Sequence, residues 1–100
     1  MIQKGSYYIR CNDGLKSVNG YIYTTSVQDE PMSFGITQYN DGWYIISELS
    51  SGLRLPFETN INLMTAVLQL KVFIAGYSER LNTYIDKALK KYGKANEVKK

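Results

Sequence analysis

Apolar residues in the last third of the chain recur at alternating spacings of four and three residues. The series is Leu63, Val67, Leu70, Ile74, Tyr77, Leu81, Tyr84 and Ala88. Because an α-helix turns once every 3.6 residues, this spacing keeps one apolar stripe on a single side of a helix. The pattern predicts a long helix over residues 59–92, with Thr59 or Asn60 as its N-cap.

Gly76 interrupts this predicted helix. A glycine in a helix interior costs about 1 kcal/mol relative to alanine, and the run Gly76-Tyr77-Ser78 could also end one helix and begin another. The apolar series keeps its phase across Gly76, which favours a continuous or gently kinked helix. A helix-turn-helix broken at Gly76 remains the alternative.

Before residue 57 the pattern changes to short runs rich in tyrosine and isoleucine, separated by turn residues. Such runs predict antiparallel strands joined by hairpins. The predicted strands cover residues 7–11, 21–26, 33–39, 43–49 and 53–55, the last being a short edge strand ended by Pro56. A polar link at 12–20 contains two candidate turns, Asn12-Asp13-Gly14 and Asn19-Gly20, and a break is expected at 29–31.

The hairpin around Asp41 and Gly42 has a predicted register. A two-residue loop places Ile36 opposite Ser47 and Phe34 opposite Leu49, which gathers the larger apolar residues on one face. That core face is predicted to hold Phe34, Ile36, Trp43, Ile45 and Leu49. The outer face then carries Tyr39, Tyr44, Ile46 and Glu48, which form either a candidate partner-binding set or a second core layer covered by the helix or other strands.

Together these patterns predict a single α+β domain over residues 1–100. A four- or five-stranded antiparallel sheet occupies 1–56, the helix 59–92 and a basic tail 93–100. The helix is apolar on more than one side up to Ala75, which predicts burial on two sides. Beyond Gly76 it is amphipathic, and a continuous helix of about 50 Å would extend past a small sheet. The apolar residues beyond Gly76 are therefore expected to contact a second copy of the chain or another protein. They are Leu81, Tyr84, Ile85, Ala88 and Leu89.

The net charge of +3 is unevenly distributed along the chain. Up to Glu79 there are five basic and seven acidic residues, whereas from Arg80 onward there are seven basic and two acidic residues. Basic residues at a helix C-terminus complement the helix dipole, which is the simpler explanation of this asymmetry. The alternative is weak, non-specific nucleic-acid binding through Lys87, Lys90, Lys91 and Lys94.

The residues needed for most catalytic and metal sites are missing from the sequence. There is no histidine, the commonest general base and zinc ligand. Glu48 and Glu58 are isolated carboxylates and are expected to be structural, and the single Cys11 cannot form an internal disulfide. No phosphate loop, dinucleotide fingerprint or complete calcium loop is present. We therefore expect no enzyme activity, no metal and no other cofactor.

The expected location is the cytosol. Residues 1–6 have no apolar signal core, and the longest apolar stretch, 63–75, is interrupted by Thr65, Gln69 and Lys71. These features predict neither a signal peptide nor a membrane span.

The run from Asp41 to Leu53 combines a tryptophan hairpin with a Ser-Ser-Gly turn, and Thr59 and a helix follow it. This arrangement, over residues 34–75, resembles small uncharacterised proteins of phages and bacterial mobile elements. The resemblance implies a small accessory protein of a kind that binds and inhibits host machinery, anti-CRISPR-type inhibitors among them. It defines no functional residue.

The expected function is non-catalytic protein binding of an inhibitory or adaptor type. Two alternatives remain from the sequence. One is a nucleic-acid-binding accessory protein that uses the basic end of the helix, and the other is a structural homodimer subunit.

Overall fold

The computed structural model describes residues 2–38, 43–59 and 62–96, and for 57–59 only the backbone. It contains five strands followed by one helix, so the predicted α+β class is confirmed. The elements are β1 (Ile2–Cys11), β2 (Gly14–Val27), β3 (Glu30–Gln38), β4 (Tyr44–Glu48), β5 (Arg54–Thr59) and α1 (Leu63–Tyr92). The strands form one antiparallel sheet in the order β1-β2-β3-β4-β5.

The first hairpin is longer than the sequence pattern predicts. Its turn lies at Asn12-Asp13, because Cys11 pairs with Gly14. Gly14 has a φ of +113°, a conformation that favours glycine. The second candidate turn, Asn19-Gly20, lies inside β2 opposite Gly5 and Ser6, so most of the predicted polar link is strand.

The second turn falls where the break was predicted. Gln28 and Asp29 have φ values of 52° and 65°, which is typical of the type I′ turns that match the twist of a hairpin. Val27 pairs with Glu30, so the chain re-enters the sheet at once. Pro31 therefore belongs to β3 and does not form part of the break.

The register between β3 and β4 differs by one residue from the predicted one. Ile36 pairs with Ile46 and not with Ser47. A shift of one residue moves every side chain of a strand to the opposite face of the sheet. The predicted core roles of Trp43 and Ile45 are therefore wrong: Trp43 is exposed, and Ile45 is half-buried on the face away from the helix. The predicted Asp41-Gly42 loop lies outside the described residues.

The last strand and the start of the helix also lie elsewhere than predicted. β5 continues through Pro56 to Thr59 at the edge of the sheet, which excludes Thr59 as the helix cap. The N-cap is Asn62, whose Oδ1 accepts the N–H of Thr65 at 2.8 Å. Asn60, the other predicted cap, lies outside the described residues.

The helix α1 runs through Gly76 and kinks at Tyr77, where φ and ψ are −133° and 23°. The favoured prediction of one helix through Gly76 is thus confirmed, with a kink at Tyr77. A straight helix of 30 residues would span about 45 Å, whereas the longest dimension of the described chain is 34 Å. Glycine is a common site of helix kinks, and the bend brings both halves of α1 onto one sheet.

The main core lies between α1 and one face of the sheet. The first half of the helix contributes Ala66 and Leu70, and the second half contributes Leu81 and Ile85. The strands contribute Tyr23, Val27, Phe34, Ile36, Ile46 and Leu55. The expectation that the second half extends beyond the sheet is therefore wrong, because the kink returns it to the domain's own core.

A smaller packed layer surrounds Tyr7 on the opposite face. Tyr7 is buried, and its hydroxyl is hydrogen-bonded to the hydroxyl of Thr37. A Cβ added to Gly35 would collide with the Tyr7 ring and lie 2.9 Å from Cδ2 of Leu49. Gly35 lies between Phe34 and Ile36, whose side chains face the helix. The added Cβ, and with it the Tyr7 ring, therefore lies on the opposite face of the sheet. Burial raises the pKa of the Tyr7 hydroxyl above its ordinary value of 10.0.

Residues 93–96 fold back onto the sheet, and we name them the strap. Ala95 is buried and donates its N–H to the carbonyl of Ser50 at 2.8 Å. At the same corner, Arg10 of β1 donates its N–H to the carbonyl of Gly52 at 2.8 Å. The sheet therefore curls until its first strand meets the loop between β4 and β5. The predicted basic tail is not a separate segment at these positions.

Asn96 joins the strap to the edge of β1. Its Oδ1 accepts the N–H of Tyr8 at 2.9 Å, and its Nδ2 donates to the carbonyls of Tyr8 at 2.9 Å and Leu49 at 2.7 Å. One side chain thus satisfies both backbone groups of Tyr8 that point away from β2. An unpaired backbone group at a closed corner would be costly.

Candidate functional site

The predicted partner-binding residues of the sheet do not form an outward surface. Ile46 and Glu48 are buried, and Tyr44 is half-buried against the main core. The cause is the one-residue register difference, which turns this set toward α1. The burial of Ile46 and Glu48 contradicts an outward binding surface at these two positions and agrees with the alternative of a core layer under the helix. Tyr39 lies outside the described residues.

Glu48 instead organises the loop that follows β4. It is 2 % exposed, and each carboxylate oxygen accepts two hydrogen bonds. Oε2 accepts the N–H and hydroxyl of Ser50 at 2.8 and 2.6 Å, and Oε1 accepts those of Ser51 at 2.9 and 2.7 Å. A carboxylate has about four lone-pair sites, so the two serines together occupy the hydrogen-bonding capacity of this side chain.

The apolar residues of the second half of α1 also face the core of the domain. Leu81, Ile85 and Ala88 are buried in the domain, and Leu89 packs against the core. Their predicted role in contacts with a second copy or another protein is therefore wrong. The exception is Tyr84, which is 48 % exposed.

The four predicted nucleic-acid-binding lysines lie at the surface. Lys87, Lys90, Lys91 and Lys94 are all exposed. Lys91 Nζ lies 5.1 Å from the ring centroid of Tyr92. Lys90 and Lys91 belong to the last turn of α1, where cations interact favourably with the helix dipole. These positions suit both interpretations of the basic end.

The first half of α1 carries an exposed apolar surface that the sequence interpretation missed. Met64, Leu68 and Val72 are 74 %, 54 % and 73 % exposed, and we name them the outward stripe. They recur every four residues and point away from the buried Ala66 and Leu70. The predicted burial on two sides is wrong, because the sheet covers only one side of the helix.

The sequence did contain a signal for the outward stripe. The first half of the helix has apolar residues on two sides, whereas a helix packed on a single sheet needs only one apolar side. We assigned the second side to the same domain. The alternative, that it remains uncovered in a single chain, is what the structure shows for Met64, Leu68 and Val72.

A second apolar feature lies where α1 kinks beside the edge strand β5. It is a cavity of about 610 Å³, and we name it the kink groove. Its walls include Leu55 and Pro56 from β5 and Phe73, Tyr77, Arg80 and Tyr84 from α1. The Phe73 and Tyr77 ring centroids lie 5.2 Å apart, and Arg80 Cζ lies 5.7 Å from the Tyr77 centroid.

Comparison of the chain with family models, with curated proteins and with solved structures finds no match. Among residues 2–38, 43–59 and 62–96, no group of three histidine, cysteine, aspartate or glutamate side chains could hold a metal ion. Within the same ranges, no helix is long and apolar enough to cross a membrane.

Proposed function

We propose that this protein is a non-catalytic protein-binding accessory protein that binds its partner through the outward stripe of α1. The observation that supports this proposal is the exposure of Met64, Leu68 and Val72 on a helix whose opposite side is buried. Exposed apolar patches of this kind are typical of protein–protein contacts.

The energetic argument concerns the transfer of these side chains out of water. Complete burial of a side chain of this type contributes about 1.5 to 3 kcal/mol relative to exposure. The three residues of the outward stripe retain more than half of their exposed surface in the isolated chain. A partner that covers them therefore gains several kcal/mol of favourable free energy, which is enough to dominate a small interface.

The partner surface that fits this site is an apolar groove or a second amphipathic helix. A helix that presents anchors at positions i, i+4 and i+8 is recognised by its apolar face lying in such a groove. The resemblance to small phage and mobile-element proteins supports a host protein as the partner and an inhibitory or adaptor role in the host cytosol.

The test is affinity purification from host lysate with three forms of the protein. Leu68→Glu places a charge in the outward stripe, whereas Gln69→Glu adds the same charge at the neighbouring exposed position. We expect one host protein to be recovered in stoichiometric amounts with the wild type and with Gln69→Glu, and to be lost with Leu68→Glu. Mass spectrometry identifies it.

Sedimentation of the same three forms distinguishes binding of a host protein from binding of a second copy of the chain. A wild-type dimer that Leu68→Glu converts to a monomer would assign the outward stripe to self-association and favour the homodimer alternative. Equal recovery of the host protein with all three forms would contradict the proposed site.

A second candidate function is weak nucleic-acid binding through the basic end of α1. The observation that favours it is the exposure of Lys87, Lys90, Lys91 and Lys94. On duplex DNA each neutralised phosphate adds about −0.9 to the slope of log affinity against log salt. If these four lysines are the contacts, the fourfold alanine variant should lose binding, whereas Leu68→Glu should retain it. Binding that survives the fourfold change would contradict this candidate.

A further inference from the structure

We propose that the kink groove is a binding site for a small apolar molecule that carries one carboxylate, with Arg80 as its charge-recognising residue. This site is separate from the outward stripe and does not depend on the proposed function. The proposal stands on the shape of the groove, on the chemistry of its walls and on the position of the Arg80 guanidinium.

The size and lining of the groove match a site for a small ligand. Its volume is about 610 Å³, and sites for small molecules usually enclose about 300 to 1,000 Å³ with mainly apolar and aromatic walls. Tyr77 and Tyr84 are 47 % and 48 % exposed, so two large rings in its walls remain partly in water. A bound apolar group would cover them.

The kink of α1 places these groups together. Tyr77 departs from helical geometry at the bend, while Leu81 one turn later is buried against the sheet. The two halves of the helix therefore meet at an angle beside Leu55 and Pro56 of β5. The groove lies in this angle.

The charge at the groove selects an anionic ligand. Among the lining residues whose side chains the structure describes, Arg80 carries the charge, and its guanidinium lies over the Tyr77 ring at 5.7 Å. A guanidinium stacked on a ring keeps its N–H groups at its edge, where they can pair with both oxygens of a carboxylate. The arrangement therefore combines an apolar cavity with one anion-binding group.

An extended peptide is a less suitable occupant of the same groove. Peptides that bind at a sheet edge add a strand through continuous backbone hydrogen bonds. Pro56 lies in the middle of the edge strand β5 and has no N–H to donate. A compact ligand needs no such ladder, so the proposal commits to a small molecule.

The test measures binding of dodecanoate and of dodecyltrimethylammonium by isothermal titration calorimetry. Both probes carry the same alkyl chain and opposite head charges. The proteins are the wild type, Arg80→Gln, Tyr84→Ala and Lys87→Gln. Tyr84→Ala removes part of the groove wall, whereas Lys87→Gln removes one positive charge from the same half of the helix but not from the groove. Thermal melting monitored by circular dichroism shows whether each variant is folded.

We expect saturable binding of one dodecanoate per chain by the wild type and by Lys87→Gln. Arg80→Gln should bind dodecanoate about tenfold more weakly, as expected for loss of a charge-assisted pair. Tyr84→Ala should weaken both dodecanoate binding and any residual binding of the cationic probe, because it removes part of the apolar wall. In the wild type, dodecanoate should bind more tightly than the cation.

Three outcomes would overturn the proposal. The first is equal binding of the two probes by the wild type, and the second is an equal loss of dodecanoate affinity in Arg80→Gln and Lys87→Gln. The third is occupancy of the groove by a macromolecule. A dimer, or a host-protein complex, that is lost with Tyr84→Ala but kept with Leu68→Glu would establish that occupancy. A host-protein complex of this kind would also contradict binding through the outward stripe, whereas a dimer would not bear on it.

Discussion

At the scale of single residues, the best-defined polar group is the buried carboxylate of Glu48. Its four hydrogen bonds all come from Ser50 and Ser51, which follow it directly in the chain. The backbone N–H of Gly52 also donates to the carbonyl of Glu48 at 2.8 Å. The residue therefore closes the loop that leads from β4 to β5, and its role is structural.

Glu48→Gln should destabilise the protein by about 2 to 4 kcal/mol. The amide nitrogen that replaces one oxygen cannot accept hydrogen bonds, so the serine backbone N–H that faces it loses its acceptor and the serine hydroxyl must rotate to accept from the amide. Urea denaturation measures the free energy of unfolding. The matched change at an exposed position of α1, Glu79→Gln, should alter that free energy by less than about 0.5 kcal/mol. Equal effects of the two changes would contradict the structural role of Glu48.

Tyr7 predicts how stability depends on alkaline pH. Burial raises its pKa in the folded protein above 10.0, so the unfolded chain loses this proton at a lower pH than the folded chain. The corresponding stabilisation is fully present below the unfolded pKa and is lost as the pH rises through the folded pKa. Between about pH 8 and pH 11, Tyr7→Phe should therefore lose less stability than the wild type.

The control for this prediction is Tyr8→Phe. Tyr8 is exposed on the neighbouring position of β1, so its substitution should leave the alkaline loss unchanged. Urea denaturation at several pH values gives the comparison. A wild-type profile parallel to that of Tyr7→Phe would show that Tyr7 does not contribute to the pH dependence.

Some residue assignments could be predicted from the sequence and others could not. The burial of Phe34 and Ile36 follows from the alternation of apolar and polar positions along a strand. The face on which Ile46 lies does not follow from this alternation. It depends on the length of the loop before β4, because one extra residue there turns every side chain of β4 to the opposite face. The predicted register placed Ser47 opposite Ile36, whereas Ile46 pairs with Ile36 in the structure.

At the scale of elements, the strap and the kink are the features that most affect the surface. The apolar spacing of α1 predicted one helix through Gly76, since its phase does not change there. The bend at Tyr77 depends on contacts that are distant in sequence, because Ala66 and Leu81 must reach the same sheet. The strap likewise depends on partners far away in the chain, and no local pattern indicates them.

Asn96→Ala should destabilise the protein by about 1 to 2 kcal/mol. It removes three hydrogen bonds, two of them to the backbone of Tyr8. Amide hydrogen exchange measured by NMR should become faster at Tyr8. The control is Lys94→Ala, at an exposed position of the same strap, which should change stability by less than about 0.5 kcal/mol. Unchanged exchange at Tyr8 in Asn96→Ala would contradict the proposed contact.

At the scale of the whole molecule, one core unites both halves of the helix with the sheet. The class and the order of strands and helix could be predicted, because each follows from local periodicity. The expectation that Leu81, Ile85 and Ala88 are free to contact a second chain is wrong, since it assumed a straight helix and these residues are buried in the domain. The kink brings the second half of α1 onto the sheet and leaves the outward stripe, on the first half, exposed.

Leu81→Ala should therefore reduce stability and leave the oligomeric state unchanged. A buried leucine replaced by alanine costs about 2 to 5 kcal/mol, and Leu81 is 3 % exposed in a single chain. Urea denaturation and sedimentation measure the two quantities. Tyr84→Ala, one turn further along the same helix half, should cost less because the ring is partly in water. A change of association state with Leu81→Ala and little loss of stability would restore the distal-helix interface.

The contact between Asn96 and Tyr8 has a consequence for the synthesis of the chain. The two residues are separated by 88 positions, and the ribosome releases Tyr8 long before Asn96. Until the strap emerges, the backbone groups of Tyr8 can bond only to water or to another strand. A nascent chain that has not yet released residue 96 therefore has an open strand edge at Tyr8, and this edge becomes protected from strand-mediated aggregation only when the strap has formed.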